Sequence, residues 1–278
     1  MTFITLALRE CDDICTMEIA GYVASLLIGM SLGLLGGGGS ILTVPVLVYL
    51  FSVSPTIAIS YSLFIVGTTS LVGAFNNYRK GLVNFRTALL FGSSSITTVF
   101  ITRRFIVPQL PDVFFSIGSF QVTHSLFVMV VFALLMIAAA ISMIKGNGGV
   151  TDVSSQNASR TKLVLYGVFV GLVTGFLGAG GGFLLIPALV VLMKLPMKEA
   201  VGTSLLIIAL NSLIGFLGDI GRHPIDWTFI SILSAIAIAG SFVGGFFSQK
   251  VSGHHLRKFF GWFVLIMGAA IIIAETLL

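Results

Sequence analysis

Two glycine-rich strings are the places where this chain could do chemistry. GLLGGGGSILTVP occupies residues 33–45, and GFLGAGGGFLLIP occupies residues 175–187. Consecutive glycines let successive backbone N–H groups face one ligand in a concave nest. A helix that starts after such a turn adds free N–H groups and a positive dipole end. Both strings therefore predict a site that holds a negatively charged ligand with main-chain groups.

The predicted anion site combines the two glycine strings with polar positions that follow them. Ser62 and Ser204 occupy equivalent positions after the two strings. Asn211 carries an amide that needs hydrogen-bond partners once it is buried. The candidate substrate-binding residues are Gly36, Gly37, Gly38, Gly39, Ser40, Ser62, Gly178, Gly180, Gly181, Gly182, Thr203, Ser204 and Asn211. We predict no metal site and no cofactor.

A second interpretation of the glycines stays open, because glycine in membrane helices also lets neighbouring helices pack closely. That explanation suffices for an isolated glycine. Here a whole string recurs, and each copy contains a proline, Pro45 or Pro187, that suits the first turn of a helix. The repetition favours turns that line a ligand site.

The composition predicts a helical membrane protein. Of the 278 residues, 56% are hydrophobic and 9% are charged, and residues 19–78, 163–193 and 259–274 contain no Asp, Glu, Lys or Arg. A membrane-spanning helix needs about 20 predominantly apolar residues. We therefore expect an all-α polytopic membrane protein in a lipid bilayer. The net charge of +5 fits an excess of basic residues in cytoplasmic loops and does not indicate nucleic-acid binding.

The second half of the chain repeats the first half. Residues 33–50 align with 175–192 without a gap, with ten of eighteen positions identical, and we call this register the repeat alignment. Each half contains about five hydrophobic segments, which gives 8–10 membrane segments in all. The segment after each glycine string is about 18 Å long as a helix, too short for a hydrocarbon core of about 30 Å. These glycine-broken helices, short or re-entrant, are expected to meet near the midplane, as in secondary transporters.

This pattern divides the chain into four parts. We expect an N-terminal tail at 1–18, a first membrane repeat at 19–144, a cytoplasmic linker at 145–162 and a second membrane repeat at 163–278. Because an odd number of segments makes up each repeat, the second repeat is inverted relative to the first.

The loop charges predict an orientation in the cytoplasmic membrane with both termini outside. In that orientation eleven Lys and Arg residues face the cytoplasm and four face outward, as the positive-inside rule requires. Arg103 and Arg104 lie on the outer side against this rule, and the insertion at 103–118 that carries them is expected along the membrane interface. Asp219 ends a predicted helix and is interpreted as a cap or loop residue.

GLLGGGGS at residues 33–40, GFLGAGGG at residues 175–182, the prolines that follow them and A-V-G-T-S at residues 200–204 resemble motifs of the sulfite exporter TauE/SafE family, also called the toluene-sulfonate uptake permeases. The resemblance extends from residue 18 to the end of the chain and is closer in the second repeat. It implies transport of a small sulfur-containing anion: sulfite, thiosulfate or an organosulfonate.

These observations predict a secondary transporter that works by alternating access. The alternative is an anion channel with a glycine-lined filter. A membrane enzyme is disfavoured because the spans contain no histidine–carboxylate cluster, no paired acids and no cysteine. No carboxylate is predicted deep in a span, so the coupling ion stays open between a proton and Na⁺. The oligomeric state is also open.

Overall fold

The computed structural model describes residues 19–34, 36–110, 113–117, 120–145, 160–177, 181–182, 185–186, 189, 193, 195–247 and 253–277. The tail, most of the predicted linker, and Gly178, Gly180 and Pro187 lie outside these ranges. The described helices are α1 (Ile19–Leu34), α2 (Thr43–Tyr49), α3 (Pro55–Arg79), α4 (Phe85–Ile101), α5 (His124–Lys145), α6 (Arg160–Leu177), α7 (Met197–Asp219), α8 (Trp227–Phe247) and α9 (Gly253–Leu277). A 3₁₀ turn, Gly38–Leu42, precedes α2.

The central pair of helices, α3 and α7, confirms the predicted inversion of the repeats. Gly73 packs on the side chain of Leu205, and Gly215 packs on the side chain of Leu63. Residue numbers rise along one helix while they fall along the other, so the two helices are antiparallel. Since α3 and α7 occupy equivalent positions in the two halves, the second half is inverted relative to the first.

A second pair of contacts shows how closely the two halves match. Gly29 of α1 lies against the backbone carbonyl of Ala237 in α8. Gly171 of α6 lies against the backbone carbonyl of Ser95 in α4. In the repeat alignment, continued at the same offset, Gly29 corresponds to Gly171 and Ser95 corresponds to Ala237, so the two contacts are equivalent. Each is a close approach of two parallel helices that only a residue without a side chain allows.

The helix starts are equivalent as well. The side chain of Asn84 accepts a hydrogen bond of 3.0 Å from the backbone N–H of Thr87 and caps α4. The side chain of Asp226 accepts one of 3.0 Å from the N–H of Phe229 at the start of α8. Such caps satisfy N–H groups that have no partner within the helix. The same sequence position thus begins α4 in the first repeat and α8 in the second.

The outer surface suits a bilayer. Among the described residues, α3, Lys198–Asp219 of α7 and α8 are long and apolar enough to cross a membrane, and shorter apolar helices accompany them. The outer surfaces of α1, α4 and α8 expose large apolar side chains, including Val23, Leu27, Leu89, Phe242 and Phe246. A water-soluble protein rarely exposes such extended apolar faces.

The insertion in the first repeat departs from the helical pattern. After α4 the chain forms a π-helical turn, Thr102–Ile106, and a 3₁₀ turn, Val107–Gln109. Strands β1 (Val113–Ile117) and β2 (Phe120–Thr123) then form an antiparallel hairpin. The π-helical turn carries Arg103 into the protein interior, where its side chain is 3% exposed. The sequence predicted only that Arg103 lies on the outer side of the membrane, in an insertion along the interface, and did not predict that its side chain is buried.

Candidate functional site

The two glycine-rich turns meet inside the protein. A Cβ atom on Gly37 would lie 2.9 Å from the Cα of Gly182, and a Cβ on Gly182 would lie 2.5 Å from the carbonyl oxygen of Gly37. Both residues are buried. The main chains of the two repeats are thus in direct contact, as the inverted-repeat prediction expects. Close packing therefore explains glycine at these two positions.

The first turn is shaped by its backbone. Gly36 has a φ of +71°, a left-handed conformation that favours glycine. The hydroxyl of Ser40 donates a hydrogen bond of 2.8 Å to the carbonyl of Gly37 and closes the turn. Gly39 lies against α1, since a Cβ on this residue would lie 2.8 Å from the backbone nitrogen of Leu32. The 3₁₀ turn that begins at Gly38 then leads into the short helix α2.

The second turn shares the left-handed geometry. Gly181 has a φ of +68° and faces the hydroxyl of Thr174 in α6. The Thr174 hydroxyl is buried and has no hydrogen-bond partner. Gly181 and Gly182 are both buried, while Gly178 and Gly180 lie outside the described residues. The described part of this turn therefore places an unpaired hydroxyl beside the glycines.

Ser204 joins the first turn to the second repeat. Its single hydroxyl proton is shared between two carbonyl oxygens, that of Gly36 at 3.0 Å and that of Val201 in its own helix at 2.9 Å. Ser62, the equivalent residue in α3, is fully buried. Ser204 is thus a predicted candidate in α7 that directly contacts a glycine turn.

Thr203 has a structural partner. Its hydroxyl accepts a hydrogen bond of 3.0 Å from the backbone N–H of Asn84, the residue that caps α4. The equivalent residue, Tyr61, accepts one of 3.0 Å from the backbone N–H of Asp226, the residue that caps α8. This matching pair shows that Thr203 helps to fix the start of a helix.

Asn211 is fully buried in α7, where its amide donates a hydrogen bond of 2.7 Å to the hydroxyl of Ser95 in α4. Its carbonyl oxygen has no partner. Further buried hydroxyls without a partner belong to Thr69 and Ser70 in α3 and to Ser212 in α7. These three residues were not among the candidates predicted from the sequence. The signal was available in the equivalence of Ser70 and Ser212 in the repeat alignment.

A narrow gap adjoins the short helix that follows the first turn. Thr43, Ser25 and Ile65 are among the residues that line it, and it has no room for a water molecule. The hydroxyl of Thr43 is buried without a hydrogen-bond partner. Buried hydroxyls are normally paired. The unpaired Thr43 hydroxyl is therefore a candidate hydrogen-bonding group for a ligand in a conformation with a wider gap.

A buried charge cluster lies at the end of α7 and was not predicted from the sequence. Asp219 is 5% exposed and forms an ion pair with Arg103. The hydroxyl of Ser60 donates a hydrogen bond of 2.6 Å to the same carboxylate oxygen. Arg222 approaches the other oxygen at 3.4 Å. The interpretation of Asp219 as a cap or loop residue was therefore incomplete, because its carboxylate bridges the two repeats.

The described residues contain no group of three or more His, Cys, Asp or Glu that could hold a metal ion. The interface between the repeats instead contains two glycine-rich turns, and the polar groups around them are main-chain groups, hydroxyls and amides. Inverted repeats with interior turns of this kind are the architecture of membrane transporters.

The chain belongs to the Sulfite exporter TauE/SafE family, whose model matches residues 22–271. It is 30% identical to a probable membrane transporter protein of Xylella fastidiosa over 88% of this chain and 91% of the relative. It is 26% identical to the probable membrane transporter protein YunE of Bacillus subtilis, over 90% of this chain and 95% of that protein. A probable membrane transporter protein of Methanocaldococcus jannaschii is also 26% identical, with 87% and 92% covered. No solved structure matches the chain significantly.

Proposed function

We propose that this protein is a secondary transporter, and not an enzyme, that moves a small sulfur-containing anion across the cytoplasmic membrane by alternating access. The anion is sulfite, thiosulfate or an organosulfonate. The observation that carries the proposal is the backbone contact between Gly37 and Gly182 at the interface of two inverted repeats. The name of the family supports the substrate class.

The contact between the turns sets a condition on binding. In this conformation the main chains of Gly37 and Gly182 touch, so no ligand fits between them. An anion reaches the main-chain groups of the turns only when the two turns move apart. The unpaired hydroxyls of Thr43 and Thr174, one beside each turn, are then available as further hydrogen-bond donors. Movement of this kind is what alternating access requires.

Backbone binding without a cation near the turns suits a transported ligand. Residues 19–78 contain no Lys or Arg, and neither do residues 163–193. Main-chain N–H groups hold an anion without a full positive charge, and the anion can therefore leave as readily as it arrives. A channel would instead need a filter that stays open, whereas the two turns close on each other here.

Transport by the purified protein in liposomes tests the proposal. We expect uptake of radiolabelled sulfite or thiosulfate that saturates with concentration and runs uphill under an imposed gradient of protons or Na⁺. Comparison of the two gradients identifies the coupling ion. Uptake that does not saturate and cannot be driven uphill would favour the channel, and absence of uptake for sulfite, thiosulfate, sulfoacetate and toluene-sulfonate would refute the substrate class.

A pair of glycine variants connects transport to the turns. Gly37→Val places a branched side chain against the backbone of Gly182 and should abolish transport. Gly92→Ala is the matched control, because a Cβ there meets only ordinary contacts at 3.8 Å. Membrane insertion of both variants is checked by expression level and gel filtration in detergent. Full transport by correctly inserted Gly37→Val would contradict a role for the turns.

A further inference from the structure

The buried charge cluster of Arg103, Asp219, Ser60 and Arg222 joins the two repeats at one end of the central helix pair. Ser60 lies in α3 and Arg103 in the π-helical turn after α4, both in the first repeat. Asp219 ends α7 in the second repeat. Burial of charged groups is costly unless they are paired and hydrogen-bonded. A buried ion pair is often no more stabilising than apolar residues of similar size. We therefore consider a functional role for this cluster.

The opposite end of the helix pair lacks the buried ion pair. The repeat alignment, continued at the same offset, places Gly202 at the position of Ser60 and Asn77 at that of Asp219, while Arg103 lies in the insertion of the first repeat and has no equivalent. These two equivalent positions are also close together, since a Cβ on Gly202 would lie 3.1 Å from the Cβ of Asn77. The same site in the fold therefore contains a buried ion pair at one end, whereas the equivalent described positions at the other end contain no buried charge.

The donors of the cluster are not fully used. The carboxylate of Asp219 accepts from Ser60 at 2.6 Å, from Arg103 and, at the longer distance of 3.4 Å, from Arg222. The Nε of Arg103 is buried and has no partner. Two guanidinium groups thus face one carboxylate, and the three groups together carry a net positive charge. Guanidinium groups bind sulfur oxyanions and carboxylates with the same fork of N–H donors.

We propose that this cluster is an anion-binding gate, in which a sulfur oxyanion displaces the carboxylate of Asp219 from Arg103 and so separates α7 from the π-helical turn at this end. This rests on the proposed function. The carboxylate acts as an internal substitute for the substrate and holds the end closed while no anion is bound. An arriving oxyanion takes over the guanidinium donors, including the unused Nε, and the link between α7 and the π-helical turn is released.

Anion titrations of the purified full-length protein by calorimetry test the gate, with sulfite and thiosulfate as probes. Asp219→Asn removes the competing carboxylate, so the affinity for the anion should rise about ten- to hundredfold. Arg103→Gln removes the receiving guanidinium, so the affinity should fall by a similar factor. The double variant should bind as weakly as Arg103→Gln. Lys80→Gln is the control, because Lys80 is exposed at the opposite end in the position equivalent to Arg222.

Ser60→Ala keeps the test decisive if loss of a charge prevents folding. It removes one donor from Asp219 and leaves both charges in place, so the anion affinity should rise severalfold. An ion pair with a merely structural role predicts instead that all variants lower the melting temperature and that anion affinity does not move in opposite directions. That result overturns the gate and leaves the proposed function intact. Absence of binding of sulfite, thiosulfate, sulfoacetate and toluene-sulfonate to the unmodified protein overturns both.

Discussion

The hydroxyl of Ser204 donates a hydrogen bond of 3.0 Å to the carbonyl oxygen of Gly36, and thereby joins the second repeat to the glycine turn of the first. The two residues are far apart in the sequence and lie in different repeats. The bond fixes the turn against the N-terminal part of α7, close to the place where the two turns meet.

Ser204→Ala tests the importance of this hydrogen bond. The Gly36 carbonyl loses a buried donor, so the free energy of unfolding should fall by about 1 kcal/mol. Ser212→Ala is the matched control, because the Ser212 hydroxyl is equally buried but has no partner. Thermal unfolding in detergent measures both. Equal melting temperatures for the two variants would show that the bond to Gly36 does not stabilise the protein.

Gly37→Ala and Gly182→Ala test the contact between the turns. A methyl group at either position lies within 3.0 Å of the opposite backbone, and the turns must separate to make room. We expect a loss of about 2 kcal/mol or more in the free energy of unfolding, together with impaired transport. Gly92→Ala, in a buried helical position with space, should be neutral or stabilising. If all three variants behave alike, the close approach has no energetic role.

Thr203→Val and Tyr61→Phe test the equivalence of the two helix starts. Each variant removes the hydroxyl that accepts from the backbone N–H of a capping residue. Both should lower the free energy of unfolding by about 1 kcal/mol, and Thr203→Ser should restore it. Sulfite affinity should be preserved in Thr203→Val if the residue serves only the cap. A selective loss of affinity with unchanged stability would instead assign Thr203 to the ligand.

Cysteine labelling tests the orientation predicted from loop charge. Lys80 and His223 are exposed beyond opposite ends of the α3–α7 pair. In a background without Cys11 and Cys15, His223→Cys should react with an impermeant maleimide added to right-side-out vesicles. Lys80→Cys should react only after the membrane is opened. The reverse pattern would place both termini in the cytoplasm.

The inverted repeat could be predicted from the sequence because equivalent contacts require equivalent residues. Gly29 and Gly171 occupy the same position in the repeat alignment, and each is needed where one helix backbone touches another. The proximity of the glycine turns followed from the same inversion. These features depend on local residue types that both halves retain.

The charge cluster could not be predicted in the same way. Loop charges predicted that Arg103 and Arg222 lie on the same side of the membrane, but they contain no information on the distance between α4 and α7. The π-helical turn after α4 directs the Arg103 side chain into the protein interior, and such a turn has no residue pattern from which it could be predicted. Asp219 is also replaced by Asn77 in the other repeat, and Arg103 lies in an insertion without an equivalent, so internal repetition did not indicate the ion pair.

The pairing of α1 with α8, and of α6 with α4, means that the two halves of the sequence are interlocked. Each tightly packed pair takes one helix from either side of the linker. A rigid body that rocks during transport therefore does not correspond to one copy of the duplicated unit. We expect covalent continuity through residues 145–162 to be dispensable for assembly, because the helix contacts themselves hold the exchanged halves together.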